Sequence, residues 1–156
     1  MDARLNLFTN PVAAKVIKHV VAASNAAMSS GVPESTVELV RMRTSQINGC
    51  AVCVDMHTKD AAHRGESAVR INLVSAWREA TVYTEAERAA LALAEEGTRI
   101  ADGGGVSDEV WENAAKHYDD EQLATLVSTI ALMNTWNRLN VLTKQPAGDY
   151  VPGQWS

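Results

Sequence analysis

The chain has 156 residues and a mass of 16.8 kDa, which is the size of one domain. Hydrophobic residues make up 46% of it and charged residues 21%. This composition excludes a disordered chain and predicts a packed core. The 14 Lys and Arg residues against 19 Asp and Glu give a formal net charge of −5, which disfavours nucleic acid or an anionic membrane surface as a partner.

The chain shows no pattern typical of export or of membrane insertion. Lys15, Lys18 and His19 interrupt the apolar stretch near the N-terminus, so this stretch does not resemble a signal peptide. The most apolar later segment, 123–136, is shorter than a bilayer-spanning helix. These features predict a cytoplasmic protein. In that reducing compartment a close cysteine pair is more often catalytic or metal-binding than structural.

Apolar residues recur mostly at helical spacing, which predicts an all-α fold. No proline lies between 34 and 145, so helix is permitted over this whole stretch. We expect a single domain over 1–156 with six to seven helices, whose last part, 146–156, is a loop-like tail. The predicted helices cover about 11–28, 33–48, 50–65 and 67–77, a fifth begins after the capping residue Thr84, a sixth after Ser107, and a long last helix covers about 120–142.

The stretch 50–57 carries two cysteines and a histidine at helical spacing. At 100° per residue, Cys50, Cys53 and His57 fall within an arc of about 60°. His57 follows Cys53 by four residues, the spacing at which helix side chains touch. An imidazole at that distance is placed to take the thiol proton and leave a thiolate, the reactive nucleophile. A disulfide between two residues three apart is geometrically accessible. One sulfur could therefore attack a substrate, and the other could then form the disulfide with it.

A carboxylate is expected beside this histidine. If the second and third helices form an antiparallel hairpin about Asn48 and Gly49, Glu38 and His57 reach about the same level along the two axes. A carboxylate next to a histidine orients the ring. We therefore predict a proton relay from Glu38 through His57 to the sulfur of Cys53.

Two other interpretations of the cysteine pair stay open. A chance pair could simply face the core. Cys50, Cys53 and His57 could alternatively supply three ligands to zinc, for which a closed site needs a fourth. Glu38 is a possible fourth ligand, whereas His63 points away from the others on the helical wheel.

Other polar residues are given ordinary structural roles. The last helix is predicted to carry an apolar stripe, formed by Leu123, Leu126, Val127, Ile130 and Val141. Asn134 and Asn137 fall on this stripe, where an amide must find hydrogen-bond partners. We expect them to hold a neighbouring helix or a buried backbone group, with lining of the thiol pocket as the alternative. The remaining charged residues of interest are expected at the surface, although an arginine could receive an anionic substrate: His19, His63, His117, Arg41, Arg43 and Arg64.

The run 43–59 resembles the core motif of the AhpD-like alkylhydroperoxidases, which belong to the carboxymuconolactone decarboxylase superfamily. Glu38 stands where that motif has its glutamate, twelve positions before the first cysteine. The segments 75–79 and 134–140 are also similar to members of this group. The resemblance covers about 32–144. One departure is Val52, where the best-known peroxidases of the group have histidine.

The resemblance implies an AhpD-like helical fold that assembles as a trimer or hexamer, and a thiol peroxidase reaction without metal or haem. It implies that Cys53 attacks an organic hydroperoxide and becomes a sulfenic acid, which Cys50 converts to a disulfide. Glu38 and His57 would move the protons. An external dithiol of lipoyl or thioredoxin type would then reduce the disulfide at the more exposed Cys50.

Two alternatives to peroxidase activity remain. The first is a thiol–disulfide exchange or redox-sensing protein with the same cysteine pair and no significant peroxide turnover. The second is a helical oligomer that is purely structural or binds zinc. Superfamily members that act as decarboxylases lack the cysteine pair, so the resemblance does not favour decarboxylation.

Overall fold

A computed structural model describes residues 2–28 and 31–154 of the chain. Every regular element in this part is helical, which confirms the all-α prediction. The last two residues of the predicted tail lie outside the described part. The helices are α1 (Pro11–Ala26), α2 (Glu34–Ile47), α3 (Ala51–His63), α4 (Ala68–Leu73), α5 (Glu85–Thr98), α6 (Ile100–Gly103), α7 (Asp108–Ala115) and α8 (Asp120–Thr143).

The predicted count of six to seven helices is too low by one short helix. α6 is a single turn that sequence periodicity cannot detect, because it is too short to show a repeat. It ends at Gly104, whose φ of +81° is in the left-handed region. The predicted helix over 67–77 is also divided, since α4 stops at Leu73 and continues as a 3₁₀ turn, Val74–Ala76.

Side-chain caps define the starts of five helices, among them α5, α7 and α8. Thr84 accepts a hydrogen bond from the backbone N–H of Glu87, whose carboxylate bonds back to the Thr84 N–H. This is the capping box predicted for α5. Ser107 caps α7 as expected, and Asp119 forms a second capping box at the start of α8.

α2 lies at the centre of the fold and packs against α3, α5 and α8. Its apolar side chains Val37, Val40 and Met42 are fully buried. The alanines of α5 lie in the core of the protomer, where Ala90 and Ala94 have no exposed surface. Such small side chains let two helices approach closely. α2 is therefore surrounded on most sides, and several of its polar side chains, such as those of Glu38 and Ser45, are buried together with the apolar ones.

α8 and α1 form the outer part of the bundle. On the apolar stripe of α8, Leu123 and Leu126 are buried, but the predicted stripe residues Val127 and Val141 are exposed by more than 40%. The buried stripe is narrower than predicted, because the helices packed against α8, which include α2, α3 and α5, leave these two valines uncovered. Within residues 2–28 and 31–154, none of the helices combines the length and apolar character that crossing a bilayer requires.

A tight turn joins α2 to α3 and sets the register of the site. Gly49 has a φ of +66°, a backbone conformation that favours glycine. The backbone N–H of Cys50 then donates to the carbonyl of Ser45 at 3.0 Å. Because so short a connection makes α2 and α3 neighbours that run in opposite directions, Glu38 on α2 meets His57 on α3.

Candidate active site

The two cysteines lie at the start of α3 and are joined to each other by a disulfide. Cys50 is the N-cap residue, with extended backbone angles, and Cys53 lies in the first turn. Their Cα atoms are 5.4 Å apart, a usual separation for a disulfide. The structure therefore shows the oxidised form of the pair that the sequence singles out.

The disulfide is enclosed by apolar side chains. Cys50 and Cys53 are exposed by only 1% and 2%, and they cluster with Val52, Met133 and the indole of Trp136. The expectation that Cys50 is the more exposed cysteine is wrong, because the turn before α3 and the side chains of α8 cover both sulfurs alike.

A groove distinguishes the two cysteines. It has a volume of about 570 Å³, and Cys50 lines it whereas Cys53 does not. Its walls are the α2–α3 turn, the start of α3 and residues 147–148 of the tail. Lys59 of α3 donates to the carbonyl of Gly148 at 2.8 Å, and Gly148 donates to the carboxylate of Asp55 at 2.8 Å. These hydrogen bonds hold the part of the tail that lines the groove against α3.

Glu38 and His57 are in direct contact, as the hairpin register predicts. The Nδ1 atom of His57 lies 2.9 Å from Oε2 of Glu38, and both side chains are buried. An ionised carboxylate only accepts hydrogen bonds, so Nδ1 is the donor. The contact fixes the plane of the ring and leaves Nε2 as the nitrogen available for proton transfer.

Two arginines complete the surroundings of Glu38. Arg41 donates to Oε1 at 2.7 Å, and Arg64 lies 3.5 Å from the same oxygen. Arg64 is exposed, as expected. The expectation of an ordinary surface charge is wrong for Arg41, which is half-buried against Glu38, and for Arg43, which pairs with Glu95. The physical reason is that a carboxylate removed from water needs compensating donors, and the long arginine stem lets a guanidinium reach one.

The pKa of Glu38 reflects this balance. Burial alone would raise it, but the hydrogen bond and charge of His57, together with those of Arg41, lower the pKa to about 2. The carboxylate is therefore ionised at neutral pH. It provides a fixed negative charge next to the imidazole.

His57 has one nitrogen without a partner. Its Nε2 is buried and makes no hydrogen bond to any other described residue. The predicted relay contact with Cys53 is therefore not a hydrogen bond in this oxidised form, because the sulfur is bonded to Cys50 and carries no proton. A buried donor or acceptor without a partner is costly. Nε2 is therefore suited to exchange a proton with a group whose protonation changes during a reaction.

α8 supplies polar groups to the same region. Asn134 and Asn137 both accept hydrogen bonds from Asn48, at 3.0 and 2.9 Å, and Asn137 also donates to Ser45. They therefore hold the α2–α3 turn, which is the structural role expected of them. Asn140 was not predicted as a site residue, yet its amide Nδ2 lies 3.4 Å from Sγ of Cys53. Its position three residues after Asn137, on the same side of α8, is the signal that could have indicated it.

The zinc alternative finds no cluster to support it among the described residues, since no three His, Cys, Asp or Glu side chains are grouped around a common point. Both sulfurs are engaged with each other. The three histidines expected at the surface are exposed: His19, His63 and His117.

Glu38 also borders a second cavity, of about 310 Å³, which neither cysteine lines. Arg64, Glu34 and Glu66 line it together with Glu38.

Comparison with known proteins identifies the family. The sequence model of the carboxymuconolactone decarboxylase family matches residues 14–96. The uncharacterized protein YdfG of Bacillus subtilis strain 168 is 44% identical over 112 residues, which are 72% of this chain and 76% of YdfG.

Solved structures show the same fold. A protein of unknown function from Agrobacterium tumefaciens, provisionally described as the antioxidant defence protein AhpD, has a TM-score of 0.88 at 38% identity, over 96% of this chain and 100% of its own. The debrominase Bmp8 has a TM-score of 0.78 at 21% identity, over 92% of this chain and 75% of its own. The chain is an AhpD-like member of the carboxymuconolactone decarboxylase family.

Proposed function

We propose that this protein is a thiol-dependent peroxidase that reduces organic hydroperoxides with the Cys50–Cys53 pair. The observation that carries the proposal is the buried Glu38–His57 contact on the helix face that also bears Cys53. The carboxylate holds Nδ1, and Nε2 is free of hydrogen bonds to other described residues. A ring held in this way is prepared to take the proton of a neighbouring thiol.

The oxidative half of the cycle follows from these roles. In the reduced protein, His57 takes the proton of Cys53 and leaves a thiolate. The thiolate attacks the distal peroxide oxygen, so that an S–O bond forms and the O–O bond breaks. The alkoxide leaves as an alcohol with the proton held by His57, and Cys53 becomes a sulfenic acid. The thiol of Cys50 then attacks this sulfur, the disulfide forms, and the hydroxyl group leaves as water with the Cys50 proton.

The reductive half needs an external dithiol, which provides two electrons. One of its thiolates attacks Cys50, the cysteine that lines the groove, and releases Cys53. Its second thiol breaks the mixed disulfide and releases Cys50. We propose a dithiol of lipoyl or thioredoxin type and, because such dithiols are kept reduced there, the cytoplasm as the compartment.

The test uses pre-reduced protein mixed rapidly with one equivalent of an organic hydroperoxide such as cumene hydroperoxide. We expect one peroxide consumed and one Cys50–Cys53 disulfide formed per chain, measured by a peroxide dye assay and by intact mass. Cys53→Ser is the matched control, because it retains Cys50, and it should consume no peroxide. Reduced wild-type protein that leaves the peroxide intact would overturn the proposal.

Thiol–disulfide exchange without peroxide turnover is a second candidate function. The observation that favours it is the placement of the groove, which is lined by Cys50 and not by Cys53. The same rapid-mixing experiment separates the two candidates. An exchange protein would be reduced quickly by dithiols but would not accelerate peroxide loss.

We also propose that the protein forms a homo-oligomer, a trimer or a hexamer, through the outer face of α1. This helix of sixteen residues buries only Ile17 within the described protomer. Val12 and Val16 are exposed by 72% and 47%, and a second copy of the chain would cover them. The double variant V12E/V16E should reduce the mass measured by light scattering toward 16.8 kDa. The control V69E, at an exposed valine of α4, should leave the mass unchanged.

A further inference from the structure

We propose that Asn140 is a further catalytic residue, whose side-chain amide donates a hydrogen bond to the Cys53 thiolate in the reduced protein. This inference rests on the proposed function only in taking Cys53 as the reacting sulfur. The contact that carries it is the 3.4 Å separation between Nδ2 of Asn140 and Sγ of Cys53. It joins α8 to the start of α3 across 87 positions of the sequence.

The amide is held by rigid elements. Asn140 lies in the last turn of α8, where its backbone carbonyl accepts from the N–H of Gln145 at 3.0 Å and ends the helix. One turn earlier, Asn137 is fully buried and bonded to the α2–α3 turn. The side of α8 that carries Asn140 is thus fixed against the segment that carries Cys53, and an amide fixed in this way does not need to be reorganised when charge develops.

The partner of this amide differs from the partners of its neighbours. The side-chain NH2 groups of Asn134 and Asn137 donate to a backbone carbonyl oxygen and to a hydroxyl oxygen, which are strong acceptors. For Asn140, the acceptor found among the described residues is a disulfide sulfur, a weak one. A thiolate is a much better acceptor, so the reduced protein is the form in which this hydrogen bond is strong.

A thiolate at Cys53 needs such donors because its surroundings are dry. Cys53 is 2% exposed, and removing an ion from water is costly without compensating hydrogen bonds. The amide of Asn140 reaches the sulfur from α8. His57 follows Cys53 by one turn of α3 and is backed by Glu38, which Arg41 also contacts. The backbone N–H groups of the first turn of α3 add partial positive charge.

The same donor serves the next step. When Cys53 becomes a sulfenic acid, its sulfur stays beside the amide, and either the sulfur or the new oxygen accepts from Nδ2. The amide neither gives up nor takes a proton during the cycle. Its contribution is to stabilise negative charge on Cys53, which raises the fraction of thiolate at neutral pH.

The experiment measures Cys53 without any peroxide. In a C50S background Cys53 is the sole thiol, and its alkylation by iodoacetamide and its ultraviolet thiolate absorbance report the thiolate directly. We expect Asn140→Ala to slow alkylation at neutral pH by about tenfold, the value of one hydrogen bond to a charged group. Asn140→Asp has nearly the same shape and should slow it at least as much, because its carboxylate repels the thiolate. Thr135→Ala, an exposed site on α8, should alkylate at the parent rate.

The outcomes separate this inference from the proposed function. Loss of reactivity in both Asn140 variants, with unchanged helical circular dichroism, supports the role of Asn140 even if the wild-type protein consumes no peroxide. Asn140→Asp or Asn140→Ala that folds and alkylates at the parent rate overturns it, even if the wild-type protein is an active peroxidase. The aspartate variant keeps the test informative if the alanine variant does not fold.

Discussion

Replacing Glu38 with glutamine removes the negative charge at the centre of the candidate site. Burial disfavours the carboxylate, but the contacts with His57 and Arg41 outweigh this effect and lower its pKa from 4.5 to about 2. At 1.36 kcal/mol per pH unit, this difference corresponds to about 3 kcal/mol of stability. Glutamine resembles the protonated carboxyl group, so we expect E38Q to lower the free energy of unfolding by about 3 kcal/mol at neutral pH, or Tm by about 6–12 °C.

The effect of this variant should depend on pH in a definite direction. Because the pKa of Glu38 is lower in the folded protein than in the unfolded chain, its contribution is fully present above the unfolded value of 4.5 and is lost as the pH falls through about 2. The difference in stability between wild type and E38Q should therefore be constant from neutral pH to about pH 5. It should fall to less than half by about pH 3.

Urea unfolding of the oxidised proteins at several pH values measures this difference. E34Q is the matched control, because Glu34 lies one helical turn before Glu38 and also pairs with Arg64, but its side chain is 56% exposed. An exposed pair contributes little, so E34Q should unfold within about 0.5 kcal/mol of wild type. A cost for E38Q below about 1 kcal/mol, or one that is the same at about pH 3 as at neutral pH, would refute the electrostatic description of the site.

Three further predictions address the relay, the α2–α8 contact and a helix cap. His57→Ala should slow the reaction of Cys53 with an organic hydroperoxide by about 10²–10⁴, the usual effect of a positioned general base; an undiminished stopped-flow rate would remove the imidazole from the relay. Asn48→Ala removes the donor to Asn134 and Asn137. It should lower the free energy of unfolding, measured in urea, by about 1–3 kcal/mol. A decrease of less than about 0.5 kcal/mol would contradict this role. Thr84→Ala should cost about 1 kcal/mol while leaving the alkylation rate of Cys53 unchanged, and a slower rate would show that the start of α5 affects the site.

Much of the site was predictable because it depends on local geometry. Cys50, Cys53 and His57 lie within two turns of one helix, so their common face follows from the helical repeat. The contact of Glu38 with His57 needs only one further assumption, a tight turn at Gly49, and the asparagine–glycine pair indicates such a turn. Short-range patterns also located the capping box at Thr84 and the long last helix.

The missed contacts depend on how helices distant in sequence pack against each other. Asn140 reaches Cys53 only because α8 docks beside α3, and the spacing of apolar residues on α8 does not say which neighbour each side faces. Arg41 was expected at the surface because periodicity assigns a face to a residue but does not say how far its side chain reaches. A long arginine stem can turn its charge back toward a buried carboxylate. The equal burial of Cys50 and Cys53 likewise results from covering side chains that are remote in sequence.

Identification of the cysteine that peroxide oxidises is the most direct test of the central claim, that Glu38 and His57 prepare Cys53 as the nucleophile. The reduced single-cysteine variants C50S and C53S would each be treated with one equivalent of an organic hydroperoxide and a sulfenic-acid reagent, and the adduct located by peptide mass spectrometry. We expect an adduct on Cys53 in C50S and none in C53S. An adduct that forms on Cys50 in C53S, while Cys53 in C50S stays reduced, would contradict the central claim.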